Sequence, residues 1–213
     1  MFQLTPPPRH SMRGLTLLEL LLALTIFAFM LAIGIPNASS WLLNNRTRGA
    51  SEFYADGFSM ARRQAVMHNS FSRISLTPNV NTGQMDWQVD ICFVSPATQC
   101  GAAEPGWSTV NAAAANDPEG VAGYKSVYRA ADALPSSEVL LPSTLPEGSS
   151  QVYYTPVGWV DTRFAQRMTS LRLNPASQYA TDVPAVALVI TLAGMASKCD
   201  PHAPANDTRA CPP

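Results

Sequence analysis

The sequence contains little charge and no dominant charge of either sign. Of its 213 residues, 14% are charged, and 14 Lys and Arg residues stand against 15 Asp and Glu residues. This balance excludes the strongly basic field that draws many proteins to nucleic acid. The chain is 46% hydrophobic and has 18 prolines and 12 glycines. That composition excludes a disordered chain and favours short segments joined by turns over a helix bundle.

Histidines and closely spaced cysteines are also scarce. The three histidines, His10, His68 and His202, lie far apart in the sequence, and none pairs with a plausible nucleophile or a metal-ligand spacing. No Cys-x-x-Cys motif is present, which disfavours a zinc site. A nucleophile-like pattern around Ser59 falls within a helical stretch and not at a strand-turn-helix junction. We therefore expect a protein that is not an enzyme and that holds no metal and no cofactor.

One long apolar run is present, and it carries a single charged residue. Residues 15–35 contain only one ionisable side chain, that of Glu19. At about 1.5 Å per residue, a helix of this length crosses a hydrocarbon core of ~30 Å. A carboxylate in such a segment costs roughly 3 kcal/mol on insertion scales. Glu19 therefore needs a compensating partner.

The residues at the head of this run form a motif. A glycine, a hydrophobic residue and the sequence Thr-Leu-Leu-Glu occupy positions 14–19. This pattern resembles the type III signal of type IV pilins and pseudopilins. The resemblance implies that a membrane-bound prepilin peptidase cuts after Gly14 and that the new amino terminus, Leu15, is N-methylated. It also implies that Glu19 meets the charged amino terminus of a neighbouring subunit during filament assembly, although the family usually has Phe where this chain has Leu15.

Two other interpretations of the apolar run exist. An ordinary secretory signal would end in a small-x-small site, and residues 32–34 fit that description, which would give a mature start at Ile35. The run is longer than such a signal and contains an acidic residue. A plain membrane anchor is the second alternative. Neither interpretation explains why a carboxylate stands at residue 19.

The motif and the apolar periodicity divide the chain into four parts. We expect a cleaved leader at residues 1–14, a transmembrane and filament-core helix at 15–36, an amphipathic helix at 37–70 and a β-rich head at 71–213. Pro36 falls where pilins carry a helix-loosening proline, so we expect a helix break there. Basic residues in the leader predict a single pass through the bacterial inner membrane, with the amino terminus cytoplasmic and the head periplasmic until filament assembly.

The amphipathic segment repeats apolar or small residues at intervals of three and four. The repeating positions include Leu42, Ala50, Tyr54, Phe58, Ala61 and Ala65. Its other side carries several arginines, for which we expect a solvated face. These are Arg46, Arg48, Arg62 and Arg63.

From residue 71 the apolar period changes to two. Residues 72–77 and 87–94 alternate on either side of a turn at 79–83, which predicts a hairpin. Later strands are expected at residues 124–128, 138–141, 151–160, 168–173 and 185–192. Between them, residues 95–120 predict a long loop that is either functional or mobile. These elements predict one mostly antiparallel sheet packed on the amphipathic helix, an α+β fold.

All four cysteines lie in the expected exported head, where disulfides form readily. Three pairings are open in principle. We favour Cys92 with Cys100 and Cys199 with Cys211, because each pair brackets a short stretch of turn-forming residues. Free buried thiols are the alternative.

The long helix is followed by a hairpin with a cysteine, a long loop reaching Gly-Trp, a strand with Pro-x-Gly and a last strand that ends in Gly and Cys-Asp-Pro. This order, along nearly the whole mature chain, resembles the GspH/FimT family of minor pilins and pseudopilins. The resemblance implies a pilin-like fold and a low-abundance type IV pilin at or near the pilus tip, which helps to start assembly. The implied partners are prepilin peptidase, other minor and major pilins and the inner-membrane assembly platform. One alternative is a minor pseudopilin of a type II secretion system. Another is a tip subunit that binds a surface ligand, or DNA during natural transformation.

DNA is the less favoured partner, because the motif that implies it is incomplete. DNA-binding members of this family carry Gly-Arg-x-Arg in the final strand. The matching residues here are Gly194, Met195, Ala196 and Ser197, followed by Lys198. Both arginines are missing, and phosphate binding depends on such cations. Lys198, Arg163 and Arg167 are the candidates for weak nucleic-acid contact.

Overall fold

A computed structural model of the chain describes residues 16–103, 105–181 and 183–212, without the side chains of residues 36–40. The expected leader, Gly14 and Leu15 therefore lie outside the described residues. The chain divides into two compact units, with the boundary between Trp41 and Leu42. One helix, α1 (Leu17–Met67), contributes residues to both units.

The first unit contains the apolar part of α1. Leu17–Ile35 is long and apolar enough to cross a membrane, and none of it is buried within the chain. The helix continues through Pro36, so the break expected there is absent. A proline removes one N–H donor, and a long helix can retain its hydrogen bonds on both sides of that position.

The second unit begins with the amphipathic part of α1. Its buried positions repeat every three or four residues, as expected: Ala50, Tyr54, Phe58, Ala61 and Ala65 are all fully buried. The helix ends at Met67, before the expected boundary at residue 70. Asn69 takes a positive φ of 47°, and the Ser70 N–H bonds to the Ala65 carbonyl, which closes the helix end.

Among the described residues, eight strands form two antiparallel sheets, where the sequence predicted a single sheet. The first sheet has the order β3-β2-β1-β5 and comprises β1 (Phe71–Pro78), β2 (Met85–Cys92), β3 (Val127–Arg129) and β5 (Gln151–Tyr154). The second has the order β4-β6-β7-β8 and comprises β4 (Leu140–Leu145), β6 (Ser170–Pro175), β7 (Val186–Ile190) and β8 (Ala196–Cys199). The fold is α+β and pilin-like in architecture, as predicted.

One predicted strand was too long, and one observed strand was not predicted. The strand expected at 151–160 ends at Tyr154, because the chain reverses in a tight turn at residues 155–159. Residues 196–199 form an eighth strand that the sequence did not predict. They are only partly buried or exposed, so they show no clear apolar alternation.

The helix and both sheets share one hydrophobic core. Tyr54 and Phe58 of α1 join Trp87 of the first sheet and Leu171 of the second in this cluster. Polar bonds fix the helix against the first sheet, since the Trp87 indole N–H donates to the Phe53 carbonyl (3.1 Å). A similar bond runs from the Ser72 hydroxyl to a helix carbonyl. Burial of this face is the main source of head stability.

Candidate processing and assembly site

The start of α1 is fixed by a side-chain cap. The Glu19 N–H donates to Thr16 Oγ1 (3.2 Å), and the Leu20 N–H donates to the Thr16 carbonyl (3.1 Å). Thr16 is thus the N-cap, an arrangement that stabilises a helix by about 1 kcal/mol. The bond between Gly14 and Leu15 precedes this first turn in the sequence. Sequence analysis missed the cap, although Thr followed three residues later by Glu is a recognised helix-start signal.

Glu19 stands in the first turn of α1 and is exposed. A carboxylate there gains about 0.3–1 kcal/mol from the helix dipole. That gain is smaller than its cost of entering lipid. Within the described part of the chain, no cation forms an ion pair with Glu19. The charge expected to require a partner therefore finds none among these residues.

The apolar side chains on both sides of Glu19 are exposed within their unit. Leu17 is 77% exposed and Phe29 is 74% exposed, and the remaining side chains of Leu17–Ile35 are exposed as well. A helix that is apolar on all sides is stable only in lipid or among other apolar helices. The segment therefore fits a membrane-anchored protein whose helix can also pack against other subunits.

Both disulfides that we favoured are present. Cys92 at the end of β2 bonds to Cys100, and Cys199 at the end of β8 bonds to Cys211. The first disulfide belongs to a small buried cluster with Trp107. This cluster packs part of the 95–120 loop against the head at Trp107. The second disulfide ties the carboxyl-terminal tail to the second sheet.

The three candidate nucleic-acid cations are all engaged with groups of the protein. The Arg163 guanidinium binds the Asp161 carboxylate through two nitrogens, with Nη2 to Oδ2 at 2.7 Å. Lys198 is paired with Glu52 of α1. Arg167 donates from Nη1 to a backbone carbonyl at 3.1 Å. The structure brings no group of unpaired cations together at these three positions.

Two buried carboxylates of the head, those of Asp86 and Asp90, have structural partners. Asp86 accepts hydrogen bonds from the Tyr128 hydroxyl, the Ala131 N–H (2.7 Å) and Asn79 Nδ2 (2.8 Å). Burial raises the pKa of this carboxyl, but the three bonds together lower it below its ordinary value. Arg73 likewise pairs with buried Asp90 at 2.8 Å. Asp86 and Asp90 therefore hold loops and strands in place.

Within residues 16–103, 105–181 and 183–212, no three His, Cys, Asp or Glu side chains are placed to hold a metal ion. Ser59 lies on the exposed side of α1, and its hydroxyl accepts a hydrogen bond from Arg63 at 2.8 Å. His68 packs at the helix end against the ring of Tyr124. The clearest chemical signal in the sequence is the amino-terminal motif at residues 14–19.

Comparison with known proteins gives a match in the region of this motif. Residues 9–35 match the family described as Prokaryotic N-terminal methylation motif, which is type IV pilin-like. No curated protein and no solved structure matches the chain. The motif indicates a pilin-like or pseudopilin-like precursor that prepilin peptidase processes and that associates with pilins. The matched region includes Glu19 and the exposed apolar helix.

Proposed function

We propose that this protein is a minor type IV pilin of the GspH/FimT family that enters a pilus at or near its tip and helps to start assembly. The observation that carries the proposal is the amino-terminal part of α1. It combines a methylation motif, an exposed apolar surface and a carboxylate, Glu19, that has no ion-pair partner among the described residues. A structural subunit of a helical filament needs all three properties.

Assembly would neutralise the membrane-embedded charge. Cleavage after Gly14 leaves a cationic amine on Leu15, and methylation retains that cation. In lipid, Glu19 and this amine each pay a desolvation cost that an opposite charge on a neighbouring subunit offsets. Docking of another subunit is therefore favoured over a solitary helix. The inner-membrane assembly platform and other minor and major pilins are the proposed partners.

The order of elements in the head supports the choice of family. A hairpin ending in Cys92, a loop that reaches Gly106 and Trp107, and a final hairpin around Gly194 follow one another in the structure. This order resembles that of GspH/FimT proteins. A pseudopilin of a type II secretion system has the same architecture. The identity of the filament that contains the protein distinguishes these two roles.

Nucleic-acid binding at the head is the weaker alternative. The arginines of the DNA-binding motif are replaced by Met195 and Ser197. The nearest lysine, Lys198, is held by Glu52. Phosphate contacts require cations that are free to reach the ligand.

Processing can be tested with a matched pair of glycine variants. We expect Gly14→Val to leave an uncut precursor in the inner membrane, because the peptidase requires a small residue before the cut. Gly34→Val should be cut normally after Gly14. Mass spectrometry of the mature amino terminus measures both outcomes. A wild-type protein that begins at Ile35 would instead establish ordinary secretion.

Assembly can be tested with a matched pair of acid variants. Glu19→Ala should be processed normally yet nearly absent from sheared pili, because the amine of a neighbouring subunit loses its partner. Glu138→Ala removes an exposed carboxylate from the head and should leave incorporation unchanged. Quantitative mass spectrometry of purified filaments provides the measurement. Equal incorporation of both variants would contradict the charge-pairing role.

A further inference from the structure

Two turns of the head have the same sequence pattern and the same hydrogen bonds. They are residues 155–159 and 191–195, called here the paired turns, and each reads Thr-x-x-Gly-x. In each, the threonine and the last residue exchange backbone and side-chain hydrogen bonds, and the glycine N–H bonds to the threonine carbonyl. Gly158 and Gly194 take positive φ values of 82° and 80°. This is a three-residue hairpin loop with a type I turn and a left-handed glycine.

The paired turns lie side by side, and Arg62 of α1 holds both. Its Nε donates to the Gly158 carbonyl (3.1 Å) and to the Ala193 carbonyl (3.3 Å). A Cβ placed on Gly194 would lie 2.1 Å from the Gly158 oxygen, so only glycine permits this approach. We had expected Arg62 to belong to a solvated face. The structure corrects that expectation, because the helix side bearing Arg62 is covered by the two turns.

Apolar side chains are exposed on these fixed turns. Val157 is 68% exposed, Trp159 and Leu192 are each 63% exposed, and Met195 is 55% exposed. Val66 of α1 is 49% exposed, and a Cβ on Gly158 would lie 2.9 Å from its methyl group, so it adjoins the first turn. We call these five residues the apolar patch. With roughly 150–250 Å² of surface for a large aromatic side chain and less for the others, the patch exposes about 500 Å².

The size and composition of the patch fit a protein partner. The largest apolar patch of a monomer is usually about 300–600 Å² and is often functional. A standard interface buries ~800 Å² on each partner, with a core enriched in Trp and Met and a polar rim. The patch supplies a core of that kind. Because its turns are already fixed by hydrogen bonds, binding would cost little ordering entropy.

The charges around the patch disfavour the other classes of partner. Residues 151–160 and 185–197 contain no charged side chain. Three cations that lie close in the sequence to Val66 or Met195 of the patch are engaged, since Arg62 binds the turn carbonyls, Arg63 pairs with Asp56 and Lys198 binds Glu52. Nucleic acid and anionic lipid headgroups both require free cations at the contact.

We propose that the apolar patch docks an uncharged, apolar surface on another subunit of the same filament, one that carries the same amino-terminal methylation motif. This inference rests on the proposed function and adds the head surface through which a neighbour is recognised. The patch includes the carboxyl end of α1, whose amino-terminal part bears the assembly motif. One helix would thus contribute to two separate subunit contacts.

Photocrosslinking in the full-length protein tests the partner directly. A benzophenone amino acid replaces Trp159 or Leu192 in cells that assemble the filament, and matched controls carry it at Val80 or Val121, which are exposed outside the patch. We expect adducts with a protein bearing the methylation motif at the two patch positions and few at the controls. Adducts only with lipid or DNA, equal adducts at the controls, or no adducts would overturn the proposal.

A second measurement uses the double variant Trp159→Ser/Leu192→Ser. Loss of a tryptophan anchor weakens association by about 30-fold, which corresponds to about 2 kcal/mol. We expect a comparable fall in filament incorporation, with processing and protease resistance of the head unchanged. Val80→Ser/Val121→Ser should behave as wild type. Normal incorporation of the patch variant would overturn this inference alone, whereas absence of the wild-type protein from filaments would contradict the proposed function.

Discussion

The two parts of helix α1 show opposite relations between apolar character and burial. Residues 17–35 are apolar on all sides and exposed, whereas residues 50–65 are apolar on one side and that side is buried. Both stretches belong to one helix, so backbone geometry does not separate them. The two parts differ in whether residues of the same chain pack over their apolar side chains. The head completes its own core, but the amino-terminal part requires lipid or other subunits.

Two glycines of α1, Gly34 and Gly57, also differ in whether the chain packs against them. A Cβ on Gly34 would meet nothing within 4 Å. A Cβ on Gly57 would lie 2.9 Å from Ile74 Cδ1 and 3.1 Å from the ring of Trp87. Gly57 therefore permits close packing of helix on sheet. Gly34 serves no such purpose within its own unit.

The largest expected change in the stability of the head comes from removing a buried aromatic side chain of its core. Trp87 is fully buried and packs against Phe53, so Trp87→Ala should destabilise the head by about 3–5 kcal/mol. Phe29→Ala, in the exposed span, should change head stability by less than about 0.5 kcal/mol. Denaturant unfolding of the full chain in detergent, followed by tryptophan fluorescence, measures both. Similar losses in the two variants would contradict the division into a self-sufficient head and a dependent span.

At high pH we expect the head to lose stability, by an amount smaller than the loss in Trp87→Ala. The membrane-spanning part of α1 should be unaffected. Burial is the main cause that raises the pKa of Tyr54 to about 12, whereas the unfolded chain titrates near 10. Because the folded-state pKa is raised, the buried neutral Tyr54 makes its full contribution to the free energy of unfolding below about pH 10. This contribution is lost as the pH rises towards 12. The loss is roughly 3 kcal/mol for a shift of two units.

The alkaline loss can be assigned with a phenylalanine variant. Tyr54→Phe removes the titrating hydroxyl and should reduce the loss of stability at high pH. Burial also raises the pKa values of Tyr124 and Tyr154, so these two residues should still cause part of that loss. Residues 17–35 contain no tyrosine, so helix content in that span should not change. Unfolding midpoints between pH 8 and about 12 provide the measurement. An unchanged slope in the variant would show that Tyr54 does not contribute.

The smallest expected change in head stability comes from substituting the two glycines of α1, Gly57 and Gly34. Gly57→Val should overpack the helix against Ile74 and Trp87 and cost about 1–3 kcal/mol, partly offset by the removal of a helix glycine. Gly34→Val should leave head unfolding unchanged. The same denaturant assay compares the two variants. If Gly34→Val destabilises the head as much as Gly57→Val does, residue 34 must contact the folded head.

Local patterns predicted much of the fold. The three-and-four spacing at residues 50–65 identified the buried helix face, and the period of two after residue 71 identified the first hairpin. Both signals depend on nearby residues only. The prediction failed where the chain folds back on distant partners. The eighth strand is one example, because residues 196–199 lack alternation and are defined by pairing with β7.

The sequence by itself determined the apolar span, the processing motif and the buried helix face, because each depends on side chains that are close in the chain. It favoured the two short-range cysteine pairs, and the structure confirmed them. Tertiary structure alone decided that the strands form two sheets and that Arg62 holds two turns. Arg62 and Ala193 are 131 residues apart in the sequence, and no local preference relates them. The exposed apolar patch likewise exists only because packing brings two similar turns together.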